Sequence, residues 1–328
     1  MFRHFWGYFK ALFRIPLPLQ RNLLYLSNAP QSSFYTCRSP TSESSAVPYA
    51  LITGATDGIG EAIALELASR YGFNLILHGR SPAKLEATKN KAITASMHKR
   101  GRTVDVILIV ADATKAREID WEETFVKPLE GLNVSMLINN VGMPALQGFE
   151  EPFRDFKLLS ETTDKEIVAL YDLNLVWTTS LTKHLLPILS NSPTRKALVV
   201  NISSVMSVIQ MPYLAVYCSV KAALNALFTS LSLELRRSKS KVQVQNFIVG
   251  SVRTRRLAER PATFSNPNAE DFAKAICRVL GDGTRQGTGC FAHALLLFAS
   301  SSTPAFIRDR AMIAVAEDMV KSNYGKKD

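Results

Sequence analysis

From Tyr49 onward the chain alternates short, nearly continuous apolar runs with stretches of helical character, and this rhythm restricts the fold more than any other feature. Six runs, YALIT, FNLILH, VDVILIV, SMLIN, KALVVNIS and VQVQNFIV, are mostly dense in Val, Ile and Leu. A strand buried on one face alternates apolar with polar residues, whereas a strand buried on both faces reads as an unbroken apolar run. The segments between them, IGEAIALELASRYG, SPAKLEATKNKAITASMHKR, KAREIDWEETFVKPLEG, TDKEIVALYDLNLVWTTSLTKHLLPIL and the stretch after Lys221, carry helical patterns. Strand and helix in alternation predict an α/β fold, a single doubly wound parallel sheet with helices on both faces. No internal repeat and no domain break divides Tyr49 from about Ser300. One domain is expected over residues 48–300, with an extension and linker over 1–47 and a C-terminal helix and basic tail over 301–328.

The first run ends in TGATDGIG, Thr53 to Gly60, and a helix opens directly behind it. Gly54, Gly58 and Gly60 permit a tight turn and let the backbone approach a pyrophosphate, which the free amides of the helix N-terminus hold. Thr56, Asp57 and Ile59 of the same loop are expected cofactor contacts. A glycine pattern alone is a weak signal; at the junction of first strand and first helix it stands where Rossmann-type dinucleotide binding requires it. The second run ends in LILHGRSPAKL, without the acid that holds the ribose diol of NAD(H), and with Arg80 and His78 in its place. A guanidinium there pairs with a 2′-phosphate through charge-assisted bonds, so NADP(H) is expected over NAD(H). Asp112, closing the third run, is placed to accept from the adenine amino group.

The formal net charge of +11 suits nucleic acid, an anionic membrane surface or a phosphate-bearing substrate. With no zinc-finger spacing and no RNA-binding aromatic signature, nucleic acid is not expected as a partner. Cys37, Cys218, Cys277 and Cys290 are too widely separated for CxxC metal pairs and too few for a disulfide framework. No stretch reaches the roughly eighteen consecutive apolar residues of a transmembrane helix. The first forty residues instead place Phe2, Phe5, Trp6, Phe9, Leu12 and Phe13 at helical spacing, with Arg3, Lys10, Arg14 and Arg21 along the other side and no acid before Glu43. Such a segment reads as a mitochondrial presequence or as an interfacial membrane anchor, and CRSPTSESSAVP as the linker behind it.

YCSVK sets Tyr217 and Lys221 four residues apart at the head of a helical run. On one helix that spacing puts them on the same face, one turn apart. Reducing a ketone requires a proton on oxygen as hydride reaches carbon, and a phenol with a pKa of about 10 needs its phenolate stabilised. Each pKa unit removed by a nearby ammonium corresponds to about 1.4 kcal/mol. Tyr217 is therefore the expected general acid, with Lys221 lowering its pKa and holding the nicotinamide ribose. Ser204, thirteen residues before Tyr217 at the end of ALVVNISS, is placed to polarise and orient the carbonyl. Asn174 is expected to hold a water that relays protons to Lys221. Tyr213 has no lysine four residues on, because Tyr217 occupies that position. Asn139, Asn140 and Gly142 are expected to shape the floor of the cofactor site, and His293 to be a hydrogen-bonded core residue.

Taken in order, TGATDGIG, NNVG at Asn139–Gly142, Asn174 in DLNL, NISS at Asn201–Ser204 and YCSVK match the motifs of the short-chain dehydrogenases/reductases, which the chain resembles from Tyr49 to its C-terminus. The resemblance implies the catalytic set Asn174, Ser204, Tyr217 and Lys221, the family's serine falling on Ser204 and not Ser203, with Asn140 and Thr254 among the cofactor contacts. TGATDGIG, NNVGM, VQVQNFIV and FAHALL further resemble the branch containing very-long-chain 3-oxoacyl-CoA reductases and 17-beta-hydroxysteroid dehydrogenases. That implies NADPH-dependent reduction of a lipid-like ketone, a homodimer, and an endoplasmic-reticulum membrane location as the rival of the mitochondrial reading. The chain departs from the pattern at Val249-Gly250, where Pro-Gly is usual, in lacking the branch's N-terminal span, and at Gly325, which interrupts the dilysine signal. SVRTRRLAERPATFSNPNAEDF is expected to form a lid whose arginines meet a CoA-type phosphate or simply solvate a surface. CFAHALLLFASSSTPAFI with the final helix would form an acyl or steroid pocket, or rest on a membrane. From a different class, a non-catalytic NADP(H)-binding scaffold at a membrane would bind the cofactor and turn over no ketone.

Overall fold

The computed structural model describes residues 47–144, 156–194, 196–255 and 261–324. The basic amphipathic segment, most of the linker, part of the expected lid (256–260) and the lysine tail lie outside the described residues. Seven strands, β1 (Tyr49–Thr53), β2 (Asn74–Gly79), β3 (Val106–Val110), β4 (Val134–Asn139), β5 (Ala197–Ile202), β6 (Val242–Phe247) and β7 (Gln286–Gly287), form one sheet in the order β3-β2-β1-β4-β5-β6-β7. Every pairing is parallel. The helices are α1 (Gly58–Glu66), α2 (Pro82–Arg100), α3 (Asp164–Tyr171), α4 (Trp177–Asn191), α5 (Ala215–Arg237), α6 (Ala269–Val279), α7 (Phe291–Ser302) and α8 (Ala305–Tyr324).

Successive side chains of a strand point to opposite faces, and here each face has its own core. Ala50, Ile52, Leu75, Leu77, Met136, Ile138, Leu198 and Val200 join Ile63 and Ala64 of α1, Leu85 of α2 and Phe272 of α6 in one cluster. Leu51, Ile76, Leu137 and Val199 join Leu170 of α3, Trp177 and Leu181 of α4 and Phe228 of α5 in the other. A polar residue at either parity of a central strand sits in one of these cores, which is why most of the runs show little alternation; β6, with Gln243 and Gln245 alternating with Val242 and Val244, is the exception. Capping chemistry sets the helix starts: Asp57 accepts from Gly58 N at 2.7 Å to open α1. Ser81 with Pro82 behind it opens α2, which Gly101 ends at φ 66°. Such an N-cap contributes about 1 kcal/mol.

Two expectations need correction. KAREIDWEETFVKPLEG is not one helix but a series of short turns, Ala113–Lys115, Glu122–Val126 and Lys127–Leu129, and Pro128, without an N–H, cannot continue a helical ladder through its end. A seventh strand, β7, was not anticipated, because two residues on the sheet edge are too few to show a period. Among the described residues one helix, α5, is long and apolar enough by length and composition to cross a membrane, yet one of its faces, with Leu224 and Phe228, packs under the sheet. The expected long helix over 163–189 is present as α3 and α4, joined without a break by a wider turn at Asp172–Val176. Cys218, Cys277 and Cys290 are free thiols, and burial pushes all three above the ordinary thiol range.

Candidate active site

The chain winds from β1 outward to β3 and then returns to β4 on the other side of β1, so the strand order reverses between β1 and β4. Open α/β sheets bind ligands in the crevice outside the carboxyl ends of the strands at such a reversal. A cavity of about 580 Å³ opens there, with Gly54, Gly58 and Asn140 on one side and Ser204, Tyr217 and Lys221 on the other.

The glycine loop follows β1 and is shaped by what its glycines lack. Gly54 and Gly58 sit at φ 65° and 58°, a left-handed conformation that L side chains rarely adopt. A Cβ on Gly60 would lie 2.3 Å from Gly54 O and 2.5 Å from Asn140 Nδ2, and one on Gly58 would lie 2.9 Å from the Thr254 methyl. The Asn140 amide donates to Thr53 O at 3.0 Å and to Gly54 O at 3.3 Å. Thr53 Oγ1 accepts from the backbone of Asn140 and Val141 at 2.9 and 3.1 Å. Thr53 thus ties the ends of β1 and β4 together. Thr56, Asp57 and Ile59 line the cavity beside the glycines, and Thr254 and Arg255 close it from the segment after β6, where Arg255 lies 3.9 Å from Asp57. The loop and the start of α1 form a cradle of backbone that any side chain at 58 or 60 would fill, which suits a dinucleotide pyrophosphate.

Arg80 stands exposed on the cavity rim, as expected, and Lys84 from the first turn of α2 joins it. Lys84 escaped the sequence reading; its one signal is its position four residues after Arg80, across a helix start. His78 departs from expectation. Its ring is buried, stacked on Trp177 at 4.6 Å, and its Nε2 bonds to Ala111 O at 3.1 Å. Burial holds it at about 4, so its ring is neutral in the core although the residue borders the cavity. Asp112 caps the turn that follows β3, its Oδ1 accepting from Thr114 N at 3.0 Å and Thr114 Oγ1 at 2.9 Å. Ala113 and Thr114, not Asp112, are the neighbours that line the cavity.

Tyr217 and Lys221 lie one turn apart on α5, the Lys221 Nζ 5.7 Å from the centre of the Tyr217 ring. Lys221 is buried and donates to Ile202 O at 3.2 Å; desolvation lowers it to about 8. Ser204 follows β5 and opens the turn Val205–Ser207, its Oγ accepting from Met206 N at 3.2 Å. That bond occupies an acceptor site and leaves the hydroxyl proton free. Asn174 sits in the wide turn between α3 and α4, a deviation frequent at functional sites. Its side chain accepts from Met143 N at 3.0 Å and donates to Met143 O at 3.1 Å and Leu170 O at 2.9 Å. Gly142 separates it from Lys221: a Cβ there would lie 2.7 Å from Lys221 Nζ and 2.9 Å from Asn174 Oδ1. Asn139 points away from the cavity, donating to Thr182 Oγ1 of α4 at 2.9 Å. His293 is fully buried with Nε2 3.0 Å from Ser251 O, and burial keeps it below its ordinary range.

Sheet order, switch-point cavity and glycine cradle together define a Rossmann-type fold suited to a dinucleotide. A family model described as short chain dehydrogenase matches residues 48–263, and the chain belongs to the short-chain dehydrogenases/reductases. The very-long-chain 3-oxoacyl-CoA reductase of Rattus norvegicus is 30% identical over 279 residues, 85% of this chain and 82% of that protein. That of Anas platyrhynchos is 32% identical over 257 residues, covering 78% and 76%. Among solved structures, a short-chain dehydrogenase from Sphingobium yanoikuyae in complex with NADPH shares the fold with a TM-score of 0.61 at 24% identity, covering 79% of this chain and 97% of that one.

Proposed function

We propose that the protein is an NADPH-dependent reductase of a lipid-like ketone, a 3-oxoacyl-CoA or a steroid-like carbonyl compound. The observation that carries this reading is the meeting of Ser204, Tyr217 and Lys221 at one cavity with the glycine cradle. A bound nicotinamide dinucleotide supplies hydride to the carbonyl carbon. Residues 54–60 would hold its pyrophosphate, Thr254 would meet its nicotinamide end, and the turn that Asp112 caps would receive the adenine through Ala113 and Thr114. Arg80 and Lys84 meet a 2′-phosphate, which favours NADP(H).

Ser204, with its proton free, donates to the substrate oxygen and orients it. Tyr217 delivers its proton to that oxygen as the carbonyl is reduced, and the Lys221 ammonium stabilises the phenolate left behind. Asn174 acts by holding Gly142 and Met143 against Lys221. A lipid-like substrate is supported by the apolar cluster that adjoins Tyr217, in which Met211, Leu214 and Ala316 are packed against Phe156, Met206 and Met319. It is supported also by the relatives above, which are very-long-chain 3-oxoacyl-CoA reductases. Homodimers would form through the helices that expose Val168 and Leu233, each about half accessible at 50% and 51%, and light scattering of the purified protein reads that state.

The test is NADPH oxidation by purified protein over a panel of 3-oxoacyl-CoA and steroid ketones. Turnover of at least one ketone is expected, with Tyr217→Phe reducing it by roughly 100-fold or more. Full turnover by Tyr217→Phe would overturn the assignment; cofactor binding with no turnover of any ketone would favour the scaffold instead.

A further inference from the structure

A chain of hydrogen bonds behind the cavity joins the three elements that carry the proposed site, and nothing in the reading above uses it. It begins on β5, where Asn201 Nδ2 donates to Asn246 Oδ1 of β6 at 2.7 Å. Asn246 Nδ2 donates in turn to Asn225 Oδ1 of α5 at 2.8 Å. The same oxygen accepts from Ser203 Oγ at 2.6 Å. On its other side Asn225 Nδ2 donates to Ser207 Oγ at 2.6 Å, and the Ser207 hydroxyl donates to Ser204 O. Each proton has one place to go. Asn225 Oδ1 has both lone pairs used, its amide must face Ser207, and Ser207, having accepted, sends its own proton to the Ser204 carbonyl.

Asn225 lies four residues beyond Lys221 and eight beyond Tyr217, so all three fall on one stripe of α5. Ser204 belongs to a different element, the turn Val205–Ser207 after β5. Backbone bonds from Ser203 N to Phe247 O and from Val205 N to Val249 O tie that turn to β6. The side-chain path from it to α5 runs through Asn225. We propose that Asn225 is a positioning residue, which sets the Ser204 hydroxyl relative to Tyr217 by clamping the turn Val205–Ser207 to the helix that bears the acid. The inference rests on the reductase reading. It adds a specific mechanical requirement: the separation of serine and tyrosine is held by an amide that touches neither substrate nor cofactor.

The test uses the purified full chain and three variants. Asn225→Ala removes the clamp. Asn225→Asp keeps shape and the bonds from Ser203 and Asn246, but draws the Ser207 proton to the carboxylate and away from Ser204 O. Ser207→Ala removes the last link alone. A displacement of about 1 Å at a reacting group costs on the order of 100-fold in rate, so each folded variant is expected to lose roughly 10- to 100-fold in kcat while the Kd for NADPH stays within about twofold. The double variant Asn225→Asp/Ser207→Ala is expected to be no slower than the slower single one, because both break the same path. A purely structural amide would lower thermal stability and leave kcat of the folded protein unchanged. If wild type turns over a ketone and folded Asn225→Asp and Ser207→Ala keep its kcat within about twofold, the inference is overturned alone. Losses that multiply in the double variant also overturn it. A wild type that turns over no ketone overturns the reductase reading together with the inference.

Discussion

Replacing Lys221 by Met would measure directly how strongly the site desolvates its cation. Burial brings Lys221 from 10.5 to about 8, and with only 3% of the residue exposed there is little solvent to screen the effect. The gap between the two values corresponds to about 3 kcal/mol. Below pH 8 the amine is protonated in folded and unfolded chains alike, and the folded chain bears the whole cost of the buried charge. Between pH 8 and 10.5 the folded chain is neutral at this position while the unfolded chain still binds a proton, so unfolding takes up a proton and stability rises with pH. The variant lacks this dependence. The unfolding free energy of wild type minus that of Lys221→Met should therefore climb by about 3 kcal/mol across that window, whatever constant offset the lost bond to Ile202 adds. Urea denaturation of both proteins at a series of pH values reads the difference. A curve flat to within about 0.5 kcal/mol would refute the desolvated lysine. In the active enzyme the ammonium is the working form, so kcat/KM for NADPH should fall as pH passes about 8.

Gly60→Ala must push against the backbone oxygen of Gly54, 2.3 Å from the new Cβ; titration by NADPH fluorescence should show affinity weakened by more than about tenfold. Arg80→Ala with Lys84→Ala should raise the Kd for NADPH by roughly tenfold and leave that for NADH nearly unchanged, since charge-assisted bonds to an exposed phosphate are worth about 1 to 2 kcal/mol; equal losses for both cofactors would remove these residues from the phosphate. His78, held at about 4 against an ordinary 6.5, should make the wild type lose up to about 3 kcal/mol as pH falls from 6.5 to 4, because the unfolded chain takes up the proton first. Chemical denaturation of His78→Leu over the same range should show that much less acid sensitivity.

Six of the seven strands could be read from the sequence because runs dense in β-branched and apolar residues mark a sheet covered by helices, even where β3 is partly exposed and β6 alternates, and Tyr217 with Lys221 because a helix turns four-residue spacing into adjacency. What escaped has a common cause, in that it depends on contacts between elements distant in sequence. His78 ends an apolar strand beside a phosphate-binding position, and only the placement of Trp177, on a helix a hundred residues away, shows that the ring faces the core. The bonds of Asn174 to Met143 were not legible, because they form only when the segment after β4 meets the wide turn between α3 and α4. Asn225 and Ser207 are ordinary polar residues in sequence, and become a path only when β5, β6 and α5 converge. The Glu122–Val126 stretch has a helical composition but gives way after little more than one turn to the tighter turn Lys127–Leu129, so its period never develops.

The stripe on α5 also bears on how such a site can change over time. A residue inserted or deleted between Tyr217 and Asn225 would turn everything beyond it by about 100°, parting the acid from the cation and clamp, or the clamp from both, in one event. Substitutions along this stretch alter one partner at a time, and others can adjust to them. The spacing within this helix is therefore protected more strictly than its composition, and variants of this protein that differ in length should carry their differences in the loops around α5 and never inside its first three turns.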